Sequence, residues 1–215
     1  MRPEITAFTS ELFYESKLTS RADLEGQRLT LATGEELRGL YQVVVEHTGN
    51  TRHSAEEAEA VVGLFHGLLA IGATFTDRKG EIRPLCADDV LVVAPYNAQV
   101  ARIREALTAA GYPEPRVGTV DKFQGQEAAV AIYSMASSSA EDVPRGMGFL
   151  DALDRPSVAT SRARCATIVV SSPQVFTAEC RTPEQMRMVN AFARYGEMGE
   201  EYLPSPIPIV RTPSG

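Results

Sequence analysis

Val117-Gly118-Thr119-Val120-Asp121-Lys122-Phe123-Gln124-Gly125-Gln126-Glu127 runs straight into the apolar Ala128-Ala129-Val130-Ala131-Ile132-Tyr133-Ser134. Further along, Ser157-Val158-Ala159-Thr160-Ser161-Arg162-Ala163-Arg164 does the same into residues 165–171. The apolar runs are continuous rather than alternating, the pattern of strands covered on both faces. Similar runs occupy 41–46 and 90–94, with a shorter one at 116–120. Helical patterns separate them, so the sequence predicts an α/β fold with a mainly parallel sheet. Each quoted block joins a β-rich run to a polar turn that carries groups suited to gripping a nucleotide: a glycine, a carboxylate and two arginines. The phosphate-cradling G-x-x-x-x-G-K-[ST] loop is absent, and no acidic metal-binding dyad follows a buried strand. The pattern is half of a nucleotide site.

Ser54-Ala55-Glu56-Glu57 has the form of a capping box, with Ala58, Val61, Val62, Phe65, Leu68 and Leu69 on one stripe behind it. A helix from there to about Gly72 is expected. A second helix is predicted over 97–110, with Val100, Ile103, Ala106 and Leu107 inward and Gly111 closing it. A third starts at Pro183, with Thr182 as its cap, and runs to Arg194. The polar stretches 19–38, 76–88 and 136–146 read as surface connections, the last of them mobile around residues 137–142. One domain over 1–202 followed by a loose proline-rich tail over 203–215 is the expected organisation.

Composition narrows the function classes. No apolar run reaches bilayer length, and no charged-then-apolar leader opens the chain, so neither a membrane span nor secretion is expected. Cys86, Cys165 and Cys180 show no metal-ligand spacing, and reduced thiols in a cytoplasmic protein are the plain expectation. His47, His53 and His66 have no carboxylate or cysteine recurring near them at ligand spacing, which argues against a metal site. The net charge of −7 argues against a strong stand-alone grip on nucleic acid, because lysine and arginine supply most non-specific affinity.

Four stretches, in order, resemble the motor of the superfamily 1B helicases, the group of the nonsense-mediated-decay and immunoglobulin-mu-binding-type helicases. They are residues 1–18, containing Met1-Arg2-Pro3 and Phe8-Thr9-Ser10-Glu11-Leu12-Phe13-Tyr14; Ala94-Pro95-Tyr96-Asn97-Ala98-Gln99; and the two blocks quoted first. The resemblance extends to about Ser172 and implies a RecA-like three-layer fold, the second of two motor domains. It further implies ATP with Mg²⁺, whose ligands would sit on a separate N-terminal RecA-like domain, and a path for single-stranded DNA or RNA. Where the family has an aromatic residue and an arginine before M-H-P, this chain opens on the Met, with Arg2 in the usual His position. A piece of a longer polypeptide, inactive as an ATPase alone, is therefore expected.

By the same resemblance Arg162 is the arginine finger that neutralises charge developing on the γ-phosphate. Its plainer reading is a surface ion pair. Gly125 lets backbone approach a ligand, and Glu127 accepts hydrogen bonds from ribose hydroxyls, or else serves as a cap or surface acid. Arg164 is either structural or a second nucleotide contact. Gln124 and Asp121 relay nucleotide state toward the strand path, or cap the turn. Thr119, Tyr96, Asn97 and Gln99, together with Asp121, are implied to line that path through phosphate contacts. Asn97 is equally suited to capping the following helix. The family's usual Asn is Ser157 here. The rival reading is a RecA-like module kept as a non-catalytic protein-docking surface; a dinucleotide-binding enzyme is disfavoured because no G-x-G-x-x-G follows a strand.

Overall fold

The computed structural model describes residues 1–139, 142, 160–176 and 183–202. Ser157, Cys180, Thr182 and the tail 203–215 lie outside them.

The chain opens with α1 (Pro3–Phe13), then β1 (Arg28–Thr30), β2 (Glu36–Leu37), β3 (Gly39–Val44) and α2 (Ala55–Leu68). It continues through β4 (Thr74–Thr76), β5 (Ile82–Pro84), β6 (Val90–Val93), α3 (Asn97–Ala109) and β7 (Val117–Gly118). The last described elements are β8 (Ala128–Ser134), β9 (Ala163–Ser171), α4 (Pro183–Met198) and β10 (Glu200–Glu201). Six strands form one sheet in the order β10-β3-β9-β8-β6-β7, with every neighbouring pair parallel. This is the predicted α/β architecture, and it has the form of a RecA-like fold.

Alternation along the central strands explains the layers. In β8, Val130 and Ile132 face one core, while Ala131 and Tyr133 face the other. In β6, Val90 and Val92 divide from Leu91 and Val93 in the same way. Both faces are apolar, so both need a cover. α2 and α3 cover the first through Val61, Phe65, Ile103 and Leu107, and α1 and α4 cover the second through Ile5, Phe8, Phe192 and Tyr195.

Two of the supposed surface connections are structured. From 19–38, and from Thr74 on through 76–88, the chain builds a second, antiparallel sheet in the order β2-β1-β4-β5. Leu29, Leu37 and Phe75 from it are buried in the α2 core. Strands of two or three residues are too short to display a period of two, which is why polarity alone reads them as loop. In the third connection, Ser137 and Ser138 are buried rather than loose, while Ala140, Glu141 and 143–146 lie outside the described residues. α2 stops at Leu68, short of Gly72. α4 begins at Pro183 as predicted and runs on to Met198.

Candidate functional site

A parallel sheet sends all its strand starts to one edge and all its strand ends to the other. Ala128 and Ala163, the first residues of β8 and β9, are register partners. Glu127 and Arg162, each one residue earlier, therefore leave the sheet from the same edge on adjacent strands. Residues 160–162 form a helical turn that passes directly into β9. Arg162 is half-buried, and its Nε is buried with no hydrogen-bond partner among the described residues. A buried guanidinium N–H without an acceptor is costly in a finished interior, so each such group asks for an explanation.

Beside it, Glu127 and Arg164 form an ion pair, Nε donating to Oε2 at 3.0 Å, with both side chains about half exposed. They line a cleft of about 420 Å³ together with Arg21, Gln27, Asp77 and Arg78. An exposed pair of this kind contributes roughly 0–1 kcal/mol. It can open for a ligand at little cost. Arg162 is not among the residues lining this cleft. Gly125 sits at φ +78° with open space where a Cβ would project. Its glycine requirement thus comes from the left-handed turn rather than from crowding within the chain. Gln124 is exposed and ends the short 3₁₀ turn Val120–Phe123.

Arg2, in contrast, is consumed structurally. It is buried, paired with Glu4 at 3.0 Å, and donates to the Glu25 carbonyl at 2.5 Å and to that of Gln27, tying the start of α1 to the loop beneath the cleft.

The opposite edge gathers most of the residues expected to meet nucleic acid. β6 and β7 pair through Val93 and Gly118, so their following residues emerge side by side. Tyr96, Asn97, Thr119 and Asp121 line one cleft of about 500 Å³, joined by Pro95, Ala98 and Arg52. Thr119 and Glu127 thus mark the two ends of a single crossover from strand-end edge to strand-start edge. Asn97 is the first residue of α3, and Tyr96 holds the cap position without a side-chain bond. The cap alternative for Asn97 is therefore not realised. Gln99 departs from its companions: it is fully buried, accepts from Ser54 N at 2.7 Å, and donates to Ser54 O at 3.2 Å and Ser134 Oγ at 2.9 Å. Its amide is spent joining α2, α3 and β8, and it does not face the cleft.

Behind this edge lies a polar network that spacing did not reveal. The Glu57 carboxylate is fully buried, 2.9 Å from His47 Nε2, and accepts from Ser134 Oγ at 2.5 Å and from the Ala136 N–H at 2.9 Å. His47 Nδ1 is 2.7 Å from Ser138 Oγ. Only half of the expected capping box forms, since Ser54 Oγ accepts from Glu57 N while Glu57 itself turns into the interior. The signal available in sequence was two polar stretches, 47–54 and 137–139, each following an apolar strand; the pairing between them left no local trace.

Among the described residues no group of three or more His, Cys, Asp or Glu could hold a metal ion, and no helix is long and apolar enough to cross a membrane. Cys86 is exposed, with burial and its bond to Asp89 both raising the thiol, and Cys165 is buried, which pushes its thiol up to about 12.

A family model described as an AAA domain matches residues 1–174. The chain is 31% identical over 198 residues to helicase mov-10-B.1 of Danio rerio, covering 82% of this chain and 19% of that protein. It is 32% identical over 190 residues to the DNA polymerase alpha-associated DNA helicase A of Schizosaccharomyces pombe, covering 76% and 25% respectively. Against the regulator of nonsense transcripts 1 homolog of Drosophila melanogaster it is 27% identical over 187 residues, or 83% and 15%. The chain thus spans a quarter or less of the length of these relatives. It belongs to the AAA-domain family and is a superfamily 1 helicase-type domain.

Proposed function

We propose that this member of the AAA-domain family is the second motor domain of an ATP-dependent superfamily 1B helicase acting on single-stranded DNA or RNA. In this reading ATP and Mg²⁺ are held chiefly by a preceding RecA-like domain of the same polypeptide, and this chain closes on them. Bound there, the nucleotide would supply the γ-phosphoryl group, its binding favouring closure and its hydrolysis permitting release. The residues at this edge fit a triphosphate: Arg21, Arg78 and Arg164 outnumber the acids Glu127 and Asp77 in the cleft, and Arg162, outside its lining, keeps a buried Nε without a partner among the described residues. Arg162 neutralises charge at the transferring group, Glu127 exchanges Arg164 for ribose hydroxyls, and Gly125 and Gln124 shape the turn between. On the other edge Thr119, Tyr96, Asn97 and Asp121 belong to the strand path, with Gln99 bracing it from within.

The observation that carries this reading is the pairing of Ala128 with Ala163, which brings Glu127 and Arg162 to one edge. The test is reconstitution with a phosphate-loop motor domain from the parent polypeptide. The chain alone is expected to show negligible ATPase. The pair is expected to show nucleic-acid-stimulated hydrolysis that Arg162→Ala lowers by about a thousandfold or more. A reconstituted rate indifferent to Arg162→Ala, or full hydrolysis by the chain alone, would overturn the proposal.

A further inference from the structure

The loop 50–53 was not singled out by any motif, yet Arg52 from it enters the cleft shared by Asn97 and Thr119. Arg52 is exposed, and its guanidinium makes no hydrogen bond or ion pair among the described residues. The side chains of Asn97 and Thr119 are likewise without an internal hydrogen-bond partner there. A cation, an amide and a hydroxyl, all unspent, thus line one polar hollow. Asp121 is the acid in that hollow, so Arg52 is what allows it to accept an anion. Ala98 also borders a second hollow, of about 410 Å³, lined by His53 and Arg102 with Glu105.

An exposed arginine normally wanders, but the backbone carrying this one is clasped on its N-terminal side. Ser137 Oγ donates to the Thr51 carbonyl at 2.6 Å. Asn50 N donates to Ser138 Oγ at 2.9 Å, and Ser138 N returns a bond to the Asn50 carbonyl at 2.9 Å. Both serines are buried, and Ser138 leans on His47, which leans on Glu57. Ala136, at φ +66° and fully buried, has its N–H fixed by the same carboxylate. A left-handed alanine costs roughly 1–2 kcal/mol. It is kept where surrounding bonds over-determine it, and such strain gathers at functional loops.

We infer that Arg52 is a phosphate contact on the single-strand path, and that Ser137 and Ser138, backed by His47 and Glu57, are positioning residues for it. The inference rests on the nucleic-acid reading of this edge. The ligand chemistry is the phosphodiester backbone, common to DNA and RNA; arginine forks onto phosphate oxygens without reading bases.

The test uses the 215-residue chain with labelled oligo-dT and oligo-U of equal length, binding being followed by fluorescence anisotropy across a salt series. For Arg52→Gln the slope of log K against log[salt] is expected to shrink by about 0.7, one phosphate contact on a single strand, equally for both oligonucleotides. Arg52→Lys is expected to keep the slope. Arg52 makes no internal bond, so an unchanged melting curve for both variants serves as the folding control. If Arg52→Gln leaves the slope intact while Thr119→Ala weakens binding, Arg52 is not a contact and the strand path stands without it. If the chain binds neither oligonucleotide even at the lowest salt, or neither Arg52→Gln nor Thr119→Ala changes binding, the reading of this edge falls together with the inference.

Discussion

At the residue scale the most exposed dependency is Glu57, whose carboxylate serves three partners from inside the protein. Replacing it by alanine leaves His47 Nε2, the Ser134 hydroxyl and the Ala136 N–H without an acceptor in a dry setting. Each buried polar group left without a partner costs about 1–3 kcal/mol. Glu57→Ala is therefore expected to lower stability by about 3 kcal/mol or more in urea unfolding, far beyond the loss of a surface glutamate. Sequence made half of this residue legible. The Ser-x-x-Glu spacing correctly predicts where α2 begins, because Ser54 does cap the helix. It mistakes the destination of the glutamate, since a local bond to the helix start competes with three buried partners. Gln99 carries the same lesson: one turn into α3, it is polar in sequence but buried in space.

At the scale of elements, one hydroxyl of α4 is bonded to two strands of the sheet. Tyr195 is fully buried, and its phenol shares one proton between the carbonyls of Tyr41 on β3 and Thr167 on β9, both at 2.9 Å. Burial holds that phenol far above its ordinary range, so it stays a donor at any working pH. Its ring meets Phe8 of α1 edge-on at 5.2 Å. Tyr195→Phe keeps the ring contact and removes only the bond. The expected loss is about 1 kcal/mol, measurable as a lowered denaturation midpoint with an unchanged m-value. The parallel strands were readable because β6, β8 and β9 are runs of Val, Ile and Ala long enough to announce burial on both faces. The antiparallel sheet was not, since β1, β2 and β4 are anchored by Leu29, Leu37 and Phe75 finding the α2 core, and β5 only pairs onto β4. The two edges of the candidate site were readable in part: Glu127, Arg162 and Thr119 come from turns with local pattern, while Arg52 belongs to a loop whose shape is set by serines far away in the chain.

For the whole molecule, acid is the expected weak point. Glu4, Glu11, Glu56, Asp77 and Asp89 are all held below the usual carboxylate range, from α1 through α2 to the small sheet. For Asp89, burial pushes the carboxyl up but is outweighed by the two bonds from Arg83 at 2.6 Å and those from Cys86. A carboxyl depressed in the folded state adds stability that is present above its unfolded pKa of about 4 and is lost as pH falls through the folded value. Urea unfolding across pH is expected to show a plateau near neutrality and a decline below about pH 4. The Asp89→Asn curve should lie beneath the wild type on the plateau and converge with it in acid. A gap that persisted unchanged into acid would show that the Arg83 pair is not its source. Strand order has a further consequence, for synthesis. Among the described residues β3 has only β9 and β10 as neighbours, Gly39 meeting Ala166 and Tyr41 meeting Glu200. A nascent chain must therefore carry β3 unpaired on both sides until β9, more than a hundred residues later, has left the ribosome. Folding during translation can stack the small sheet and α2 early, and β6, β7 and β8 can pair with one another before β9 emerges, but β3 joins the long sheet only once β9 follows, and until then it is the segment most in need of a chaperone.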